Sequence, residues 1–469
     1  MRVQFIFPPY THKKFEEDIS IVSRRFGIFP PLGLAFAAAI LEAQGHCVDI
    51  IDARASNLSK EQTLQRIKYF QPKLLGFMLT FYMFHDTLVW IKFFKEKTNI
   101  PIIVGNVLME FFPQDVMAYP EIDYGIIGSA QKNLPLLIEF LENNKNIENI
   151  SGLCYRKDGQ VIINKPKELF EDFQTLPFPA RHLLPNHKYH AVMSKRKNLT
   201  IMVTTRGCAA SCNFCHIKDI KYSARSAQMV VDEMQECYEK FNVREIEIFD
   251  PTFNMDKRRV MDICQGIVDR KLDIDWACRA RIDCMNPEML KIMCQAGCKR
   301  ILYGIESGDE NILKKIKKGI NLSQIRDTIK ATQDLGIKAL GFFLLGSPGD
   351  SLKTINKTVK FAKELKLDYA QFHKTIAKPG TELYDQVKNY TGRDLWREYI
   401  LGKYPESRLP TPWTDLSAQT IEQCTYQAYR KFYFRIGYLW QTLRGIKSFH
   451  EFKRYLASFF GLIFEKRDY

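Results

Sequence analysis

The stretch Thr204-Thr205-Arg206-Gly207-Cys208-Ala209-Ala210-Ser211-Cys212-Asn213-Phe214-Cys215-His216 contains three cysteines within eight residues, spaced C-x3-C-x2-C. Three thiolates this close in sequence can converge on one iron-sulfur cubane if the loop wraps it, and they leave the fourth iron open. Gly207 allows the sharp turn that such a loop needs. A zinc site is the poorer interpretation, because zinc usually takes about four ligands in two short pairs and no matching second pair is present.

The motif follows the first of six strand-and-helix patterns that continue to about residue 373. These patterns predict a partial (β/α)6 barrel, in which chemistry gathers at the carboxyl ends of the strands. The cysteine motif lies at such an end. The predicted strands are residues 199–204, 245–249, 274–280, 300–304, 339–345 and 369–373.

The first 148 residues alternate short apolar runs with amphipathic stretches, which predicts a doubly wound parallel sheet in an α/β fold. The expected strands are residues 3–7, 48–52, 74–79, 102–105 and 124–127. Ligands of such sheets bind beyond the carboxyl ends of the strands. Four residues are therefore expected at or near a binding rim, namely Gly33, Thr80, Gly105 and Gly128.

Four consecutive regions are expected along the chain. Residues 1–148 form the doubly wound domain, 149–198 a linker with a small hairpin, 199–380 the partial barrel, and 381–469 a helical, aromatic and basic region. The aromatic residues after 430 are expected to pack on the barrel. A lid over an apolar substrate and a contact with a membrane surface are the alternatives.

Taken together, the cysteine spacing, Phe214 before the last cysteine and the (β/α) unit that follows resemble the radical S-adenosylmethionine (SAM) superfamily. Three further runs, residues 30–33, 41–46 and 304–308, and the linker at 176–181, are similar to the branch that joins a cobalamin-binding domain to the radical barrel. That branch contains many methylases and a few cyclases. The resemblance implies a [4Fe-4S] cluster, SAM and cobalamin as cofactors.

The resemblance also implies roles for single residues. Cys208, Cys212 and Cys215 would ligate the cluster. For SAM, Phe214 would present its backbone to the adenine, Asp250 would lie near the amino group, Arg281 would pair with the carboxylate, and Glu306 would accept from the ribose hydroxyls. Gly346 and Gly349 would let backbone approach the adenine. The alternatives are helix caps for the two acids and a tight turn for the two glycines.

For cobalamin, the resemblance implies Gly33, Thr80, Gly105 and Gly128 as binding residues. The D-x-H-x-x-G signature of the cobalt-ligating histidine is absent, and His85 lacks its flanking pattern. The branch also commonly has Gly-Gly-Pro-His where this chain has Gly105-Asn106-Val107-Leu108, and often Gly-Glu where Gly128-Ser129 stands. A doubly wound domain that serves only as a platform for substrate or partner is the alternative.

Cysteine content and net charge indicate the location of the protein and restrict its possible binding partners. Twelve cysteines without a signal-peptide core indicate reduced thiols in the cytoplasm, and Cys278, Cys284, Cys294 and Cys298 are expected as ordinary thiols rather than a second cluster. The net charge of +15 is compatible with several anionic partners or with a solvated surface. We expect an apolar small-molecule substrate and a flavodoxin or ferredoxin as electron donor. Peripheral membrane contact remains an alternative, and nucleic acid is not expected.

The predicted activity is methylation of an unactivated carbon of an apolar or lipid-like small molecule, through a 5'-deoxyadenosyl radical. A cobalamin-linked radical cyclase or oxidase, acting for example on a tetrapyrrole, is the second hypothesis. An RNA-directed modifier or binding module is the third, and it predicts RNA binding that weakens steeply with salt.

Overall fold

The computed structural model describes residues 1–10, 27–143, 146–167, 173–218, 220–404, 408–435 and 437–438. They group into two compact units. The N-terminal unit contains the described residues up to 189, except Gly27, together with residues 394–404. The barrel unit contains the described residues 190–393 and those from 408 onward. No helix in these described ranges is long and apolar enough to cross a membrane.

Five parallel strands form most of the sheet in the N-terminal unit. They are β1 (Arg2–Phe7), β2 (Cys47–Asp52), β3 (Leu74–Met78), β4 (Ile102–Gly105) and β5 (Tyr124–Ile126), in the spatial order β2-β1-β3-β4-β5. The chain reverses its direction of winding at β1, because β2 and β3 lie on opposite sides of it. All five predicted strands are confirmed.

Seven helices accompany this sheet. They are α1 (Leu32–Glu42), α2 (Ala53–Ser56), α3 (Lys60–Phe70), α4 (Phe84–Lys97), α5 (Val107–Phe111), α6 (Pro113–Val116) and α7 (Ala130–Asn143). Local sequence explains where they begin. Ser59 and Gln62, for example, form a capping box at the start of α3, in which each side chain accepts from the other residue's backbone N–H.

The predicted small hairpin consists of β6 (Leu153–Lys157) and β7 (Gln160–Ile163). Asp158 and Gly159 both have positive φ, as a two-residue hairpin turn requires. Strand β6 pairs antiparallel with β5. The hairpin therefore extends the sheet of the N-terminal unit rather than standing alone in a linker.

The barrel unit contains six parallel strands in sequence order. They are β8 (Leu199–Met202), β11 (Glu245–Ile248), β12 (Asp275–Ala280), β13 (Cys298–Glu306), β14 (Lys338–Leu345) and β15 (Tyr369–Lys374). A separate antiparallel pair, β9 (Thr205–Arg206) and β10 (Ser223–Ala224), lies between β8 and β11 in the sequence. All six strands of the predicted partial barrel are confirmed.

Helices follow the strands of the barrel unit along the chain. They are α8 (Ala227–Lys240), α9 (Lys257–Asp269), α10 (Pro287–Gln295), α11 (Glu310–Lys315), α12 (Leu322–Asp334), α13 (Leu352–Glu364) and α14 (Glu382–Thr391). Ser226, Asn286, Asp309 and Ser351 are among their N-caps, each accepting a backbone N–H.

One helix after the barrel belongs to the N-terminal unit. In α15 (Leu395–Ile400), Trp396 is 1% exposed and lies 5.1 Å, centroid to centroid, from Phe81. Arg397 Nε donates to Asp115 at 2.7 Å, and Tyr119 donates to the Ile400 carbonyl at 2.6 Å. The compact units therefore do not follow the four consecutive regions expected from the sequence.

The last helix within the described residues, α16 (Ala418–Tyr433), packs on the final barrel strand. Phe432 contacts Phe372, and the Tyr433 hydroxyl donates to the Ala370 carbonyl at 2.8 Å. The first aromatic residues after 430 thus pack on the barrel, which was the preferred expectation. Residues 439–469, where most of the aromatic and basic segment falls, lie outside the described residues.

We predict that Trp396→Ala lowers the free energy of unfolding of the N-terminal unit by about 3–5 kcal/mol, because it leaves a cavity among buried aromatic rings. Urea unfolding of the full chain measures the loss. The control is Tyr69→Ala in the same unit, since Tyr69 is 92% exposed. Equal effects of the two changes would contradict the assignment of α15 to the core of this unit.

Candidate active site

The loop that carries the three cysteines is closed at its base. Its two ends pair as β9 and β10, with Thr205 opposite Ala224 and Arg206 opposite Ser223. Gly207 has φ +70° at the start of the loop, and a Cβ there would collide with the carbonyl oxygens of Ile220 and Lys221. Only glycine fits this turn without moving the opposite strand.

A second anchor holds the middle of the loop. The Asn213 side chain donates to the Lys315 carbonyl at 2.9 Å, and its backbone N–H donates to the Ile316 carbonyl at 3.3 Å. Cys212 is buried, whereas Cys208 and Cys215 are half-buried. The three cysteines are thus brought together on one anchored loop.

The chemistry of these donors fits a cluster better than a single ion. In the described part of the chain, no three His, Cys, Asp or Glu side chains are spaced to hold one metal ion. Ligands of a cubane stand farther apart than ligands of one ion, because the cluster lies between them. Three thiols on one loop, with one cluster corner left over, match a [4Fe-4S] site with an open iron.

Two side chains contact the cysteine sulfurs. The Thr252 hydroxyl lies 3.6 Å from Cys208 Sγ, and Arg281 Nη1 lies 3.8 Å from Cys212 Sγ. Asp283 accepts from Arg281 Nε and Nη2 at 2.9 and 2.8 Å. Hydrogen bonds to ligand sulfurs tune the reduction potential of an iron-sulfur cluster. Sequence reasoning missed Thr252 and gave Arg281 a different partner, the SAM carboxylate.

Asp250 lies at the end of the second barrel strand, as predicted, but faces the cysteine loop. It is fully buried and accepts from the backbone N–H groups of Thr204 and Thr205 at 2.5 and 3.0 Å. The Thr204 hydroxyl donates to the other carboxylate oxygen. Burial raises the pKa of Asp250, while the hydrogen bonds from Thr204 oppose that effect. The carboxylate therefore positions the loop, and a contact with the SAM amino group stays a prediction.

Glu306 lies at the end of the fourth barrel strand with φ +67°. Its Oε1 accepts from Lys318 Nζ at 2.8 Å, and both side chains are buried. A Cβ on Gly304 would lie 2.6 Å from each of these two atoms, so the glycine leaves room for the ion pair. Sequence reasoning did not predict Lys318, because twelve residues and a helix separate the partners.

The remaining predicted SAM residues stand in loops of the barrel unit. Gly346 and Gly349 have φ +75° and +77°, so the turn after the fifth strand needs both glycines. The Gly346 carbonyl accepts from Trp413 Nε1 at 2.7 Å. Phe214 packs half-buried against the barrel core. Their contacts with SAM stay predictions.

The predicted rim residues of the N-terminal unit follow strand ends. A Cβ on Gly33, at the start of α1, would lie 3.0 Å from Met78 Sδ and 3.9 Å from Asn106 Nδ2. This places Gly33 beside the ends of β3 and β4, where Thr80 and Gly105 also lie. A Cβ on Gly105 would meet nothing closer than 4.0 Å, so its face of the rim is open.

Gly128 follows β5 with φ +79°. The nearby His85 is already engaged in the N-terminal unit. Its Nε2 lies 2.7 Å from the Tyr399 carbonyl, and its ring stacks edge-on against that tyrosine. Gly105 thus has open space beside it, and His85 is held by α15 through the Tyr399 carbonyl.

Comparisons with known proteins match both parts of the chain. A profile described as the radical SAM superfamily matches residues 202–362, and one described as a B12 binding domain matches residues 20–138. An uncharacterised methyltransferase of Pyrococcus horikoshii is 31% identical over 93% of both chains. The chain belongs to the radical SAM superfamily. Within it, the chain belongs to the branch that carries a B12-binding domain, as the sequence predicted.

Other relatives are more distant. Cytidylyl-2-hydroxyethylphosphonate methyltransferase of Streptomyces wedmorensis is 25% identical, over 75% of this chain and 77% of that protein. Among solved structures, the radical SAM methyltransferase TsrM of Kitasatospora setae, with cobalamin and a [4Fe-4S] cluster bound, covers 82% of this chain and 75% of its own, with TM-score 0.67 and 18% identity. At that identity the likeness shows the shared fold.

We predict that Gly207→Ala prevents cluster incorporation, because the added methyl group collides with the base of the cysteine loop. Iron and sulfide content after anaerobic reconstitution measures this. Gly336→Ala is the control, since Gly336 has φ +75° but open space around a Cβ. It should retain the cluster and lose only about 1 kcal/mol of stability. Equal iron content in the two variants would contradict the role of Gly207.

We predict that Arg281→Gln lowers the reduction potential of the cluster, because the guanidinium stabilises the extra negative charge of the reduced state. A tenfold change in the reduced fraction corresponds to about 59 mV for one electron. Anaerobic redox titration without SAM measures the shift. Arg258→Gln, at an exposed arginine of α9, should leave the potential unchanged. An unshifted potential in Arg281→Gln would contradict the contact with Cys212.

Proposed function

We propose that this chain is a cobalamin-dependent radical SAM methyltransferase that methylates an unactivated carbon of an apolar small molecule. The observation that carries the proposal is the anchored loop with Cys208, Cys212 and Cys215. The B12-binding match upstream and relatives described as methyltransferases support the methyl transfer. The apolar nature of the substrate is part of the proposal and is suggested by the aromatic composition of the sequence after residue 430.

The cysteine loop, the rim of the N-terminal unit and the barrel walls would each bind a different reaction component. When bound, a [4Fe-4S] cluster with SAM supplies the radical, and cobalamin supplies the methyl group. The three cysteines would hold the cluster, Arg281 would donate a hydrogen bond to the Cys212 sulfur, and the Thr252 hydroxyl would lie beside the Cys208 sulfur. The rim around Gly33 and Gly105 gives cobalamin space. The barrel walls hold the substrate in place and exclude water.

The SAM-binding residues stay as predicted from the resemblance. Glu306 keeps Oε2 for a ribose hydroxyl, since its Oε1 accepts from Lys318. The turn around Gly346 and Gly349, together with the backbone of Phe214, would face the adenine. A flavodoxin or ferredoxin would deliver the electron.

A radical cyclase is the second candidate, because the relatives include one. The anaerobic magnesium-protoporphyrin IX monomethyl ester cyclase of Rubrivivax gelatinosus is 24% identical over 82% of this chain. Product mass distinguishes the two activities. A gain of one CH2 unit indicates methyl transfer, whereas a cyclase product lacks that gain.

We predict that Cys212→Ala abolishes formation of 5'-deoxyadenosine from SAM, because the cluster loses one of its ligands. The wild-type chain, reconstituted without oxygen and supplied with cobalamin and a reductant, should form it. Cys47→Ala is the matched control, since Cys47 is an exposed thiol at the start of β2. Chromatography of the product and extraction of bound cobalamin give the two readouts.

Unchanged SAM cleavage in Cys212→Ala would contradict the cluster assignment. A reconstituted wild-type chain that cleaves SAM but binds no cobalamin would instead contradict only the methyl-transfer route. The two parts of the proposal can therefore fail separately.

A further inference from the structure

The six barrel strands present alternate residues to the interior. Ala277, Leu302 and Leu340 pack there with Met193 and close the base of the barrel. Their neighbours in sequence, such as Cys278, Ile301 and Ala339, instead join the core beneath the helices. Continuing the alternation, interior residues above the base include Phe249, Arg279, Phe342, Leu344, Gln371 and His373, and all of these are half-buried. The space above the base is therefore accessible to solvent.

Several cationic side chains line this interior, and most of them have a carboxylate partner. Arg281 Nη2 lies 2.8 Å from Asp283, and Lys318 Nζ lies 2.8 Å from Glu306. Deeper in the barrel, Arg300 Nη2 lies 3.5 Å from both Glu245 and Glu247, and Arg300 Nη1 donates to the Met193 carbonyl at 3.0 Å. Each of these three cations therefore has a carboxylate partner within the barrel unit.

Arg279 differs from these cations. Among the described residues, its guanidinium donates no hydrogen bond and has no carboxylate within 4.0 Å, and its buried Nε has no partner. It lies 4.2 Å above the Phe249 ring. Glu247 and Asp250 act on it only from farther away, and burial lowers the pKa of Arg279. The oxygens of Asp250 already accept from Thr204 and Thr205.

Arg279 Nε is buried without a hydrogen-bond partner, which is destabilising, whereas the two Nη groups of this half-buried side chain have no acceptor among the described residues and remain accessible. A contact with one aromatic ring does not replace the missing bond. Charges left unpaired in a solvent-accessible concave space are candidates for ligand binding. The planar guanidinium fork matches a carboxylate or a phosphoryl group, which it can bind through two parallel hydrogen bonds.

We propose that Arg279 binds an oxyanion group of the substrate inside the barrel, so that the substrate is an acid with an apolar body. This proposal rests on the barrel being the substrate site of the proposed function. Phe249, Phe342 and Leu344 would contact the apolar body. Gln371 and His373, which lie within 3.3 Å of each other, would face its polar substituents from the last strand.

Stability measurements test whether Arg279 serves the fold or a ligand. Arg279→Met removes an unpartnered charge, so the reconstituted variant should keep or raise the Tm of the wild-type enzyme. Arg300→Met is the matched control, because it leaves Glu245 and Glu247 without their cation and should lower the Tm. A Tm loss in Arg279→Met as large as that in Arg300→Met would show a structural role and overturn the proposal.

Small anions test the binding itself. We would add acetate or inorganic phosphate to the reconstituted enzyme at constant ionic strength, with acetamide as the neutral match for acetate. A ligand that binds the native state raises the Tm in a saturable way. We expect this for at least one anion with the wild type, a loss of at least tenfold in its apparent affinity with Arg279→Met, and no effect of acetamide. The effective anion identifies the acid as a carboxylate or a phosphoryl group.

The carboxylate of SAM is the competing ligand. Arg279→Met should therefore bind SAM with unchanged affinity and form 5'-deoxyadenosine in the absence of substrate at the wild-type rate. A tenfold loss of SAM affinity, or an anion effect that is absent in the wild type or persists in the variant, would overturn the proposal. A wild-type chain that shows the anion effect but cleaves no SAM would instead refute the proposed function alone.

Discussion

The buried carboxylate of Asp250 sets the geometry on which the candidate active site depends. It joins the end of β11 to the backbone of Thr204 and Thr205, just before the cysteine loop begins. Arg259 continues the network, since its Nη2 donates to the Thr204 hydroxyl at 2.7 Å and its Nε to the Arg225 carbonyl at 2.7 Å. Both ends of the loop are therefore fixed to the barrel by buried hydrogen bonds. Breaking one of them would leave a buried donor or acceptor without a partner, which is destabilising.

This network fixes both ends of the loop that carries the cysteines. Arg225, at the far end of the loop, pairs with Glu233 of α8 at 2.7 Å, and both side chains are almost fully buried. A buried ion pair contributes little net stability but strongly disfavours arrangements that separate its partners. The loop then has one preferred conformation between its two ends, and this conformation determines where the three thiols lie.

The sequence predicted the parts of this arrangement that depend on local pattern. Strand alternation, helix caps such as Ser226 and Ser351, and the cysteine spacing are all properties of neighbouring residues. Contacts between distant residues were not predictable in the same way. Thr252 reaches Cys208 across 44 positions, and α15 joins a sheet that ends more than 200 positions earlier. No periodicity in one sequence encodes such pairings, because they depend on how complete elements pack.

The function of Asp250 illustrates the same limit. Its position at a strand end suggested a ligand contact or a helix cap. In the structure its oxygens accept from the backbone N–H groups of Thr204 and Thr205 and from the Thr204 hydroxyl. Asp250 thus positions the cysteine loop, a role that its place at a strand end did not indicate, and its contact with SAM stays a prediction.

Charge inside the barrel has two separate physical roles. At the base, Arg300 joins Glu245, Glu247 and the Met193 carbonyl, and Ser194 donates to Glu245 at 2.8 Å. These contacts close the amino-terminal end of an open barrel, where a fully apolar plug would leave the backbone of the entering segment without partners. The carboxylates at the base thus have Arg300 as a cation at hydrogen-bond distance, whereas Arg279, higher in the barrel, has only the Phe249 ring close by. Charge at the base therefore supports the fold, and we assign the charge above it to a ligand.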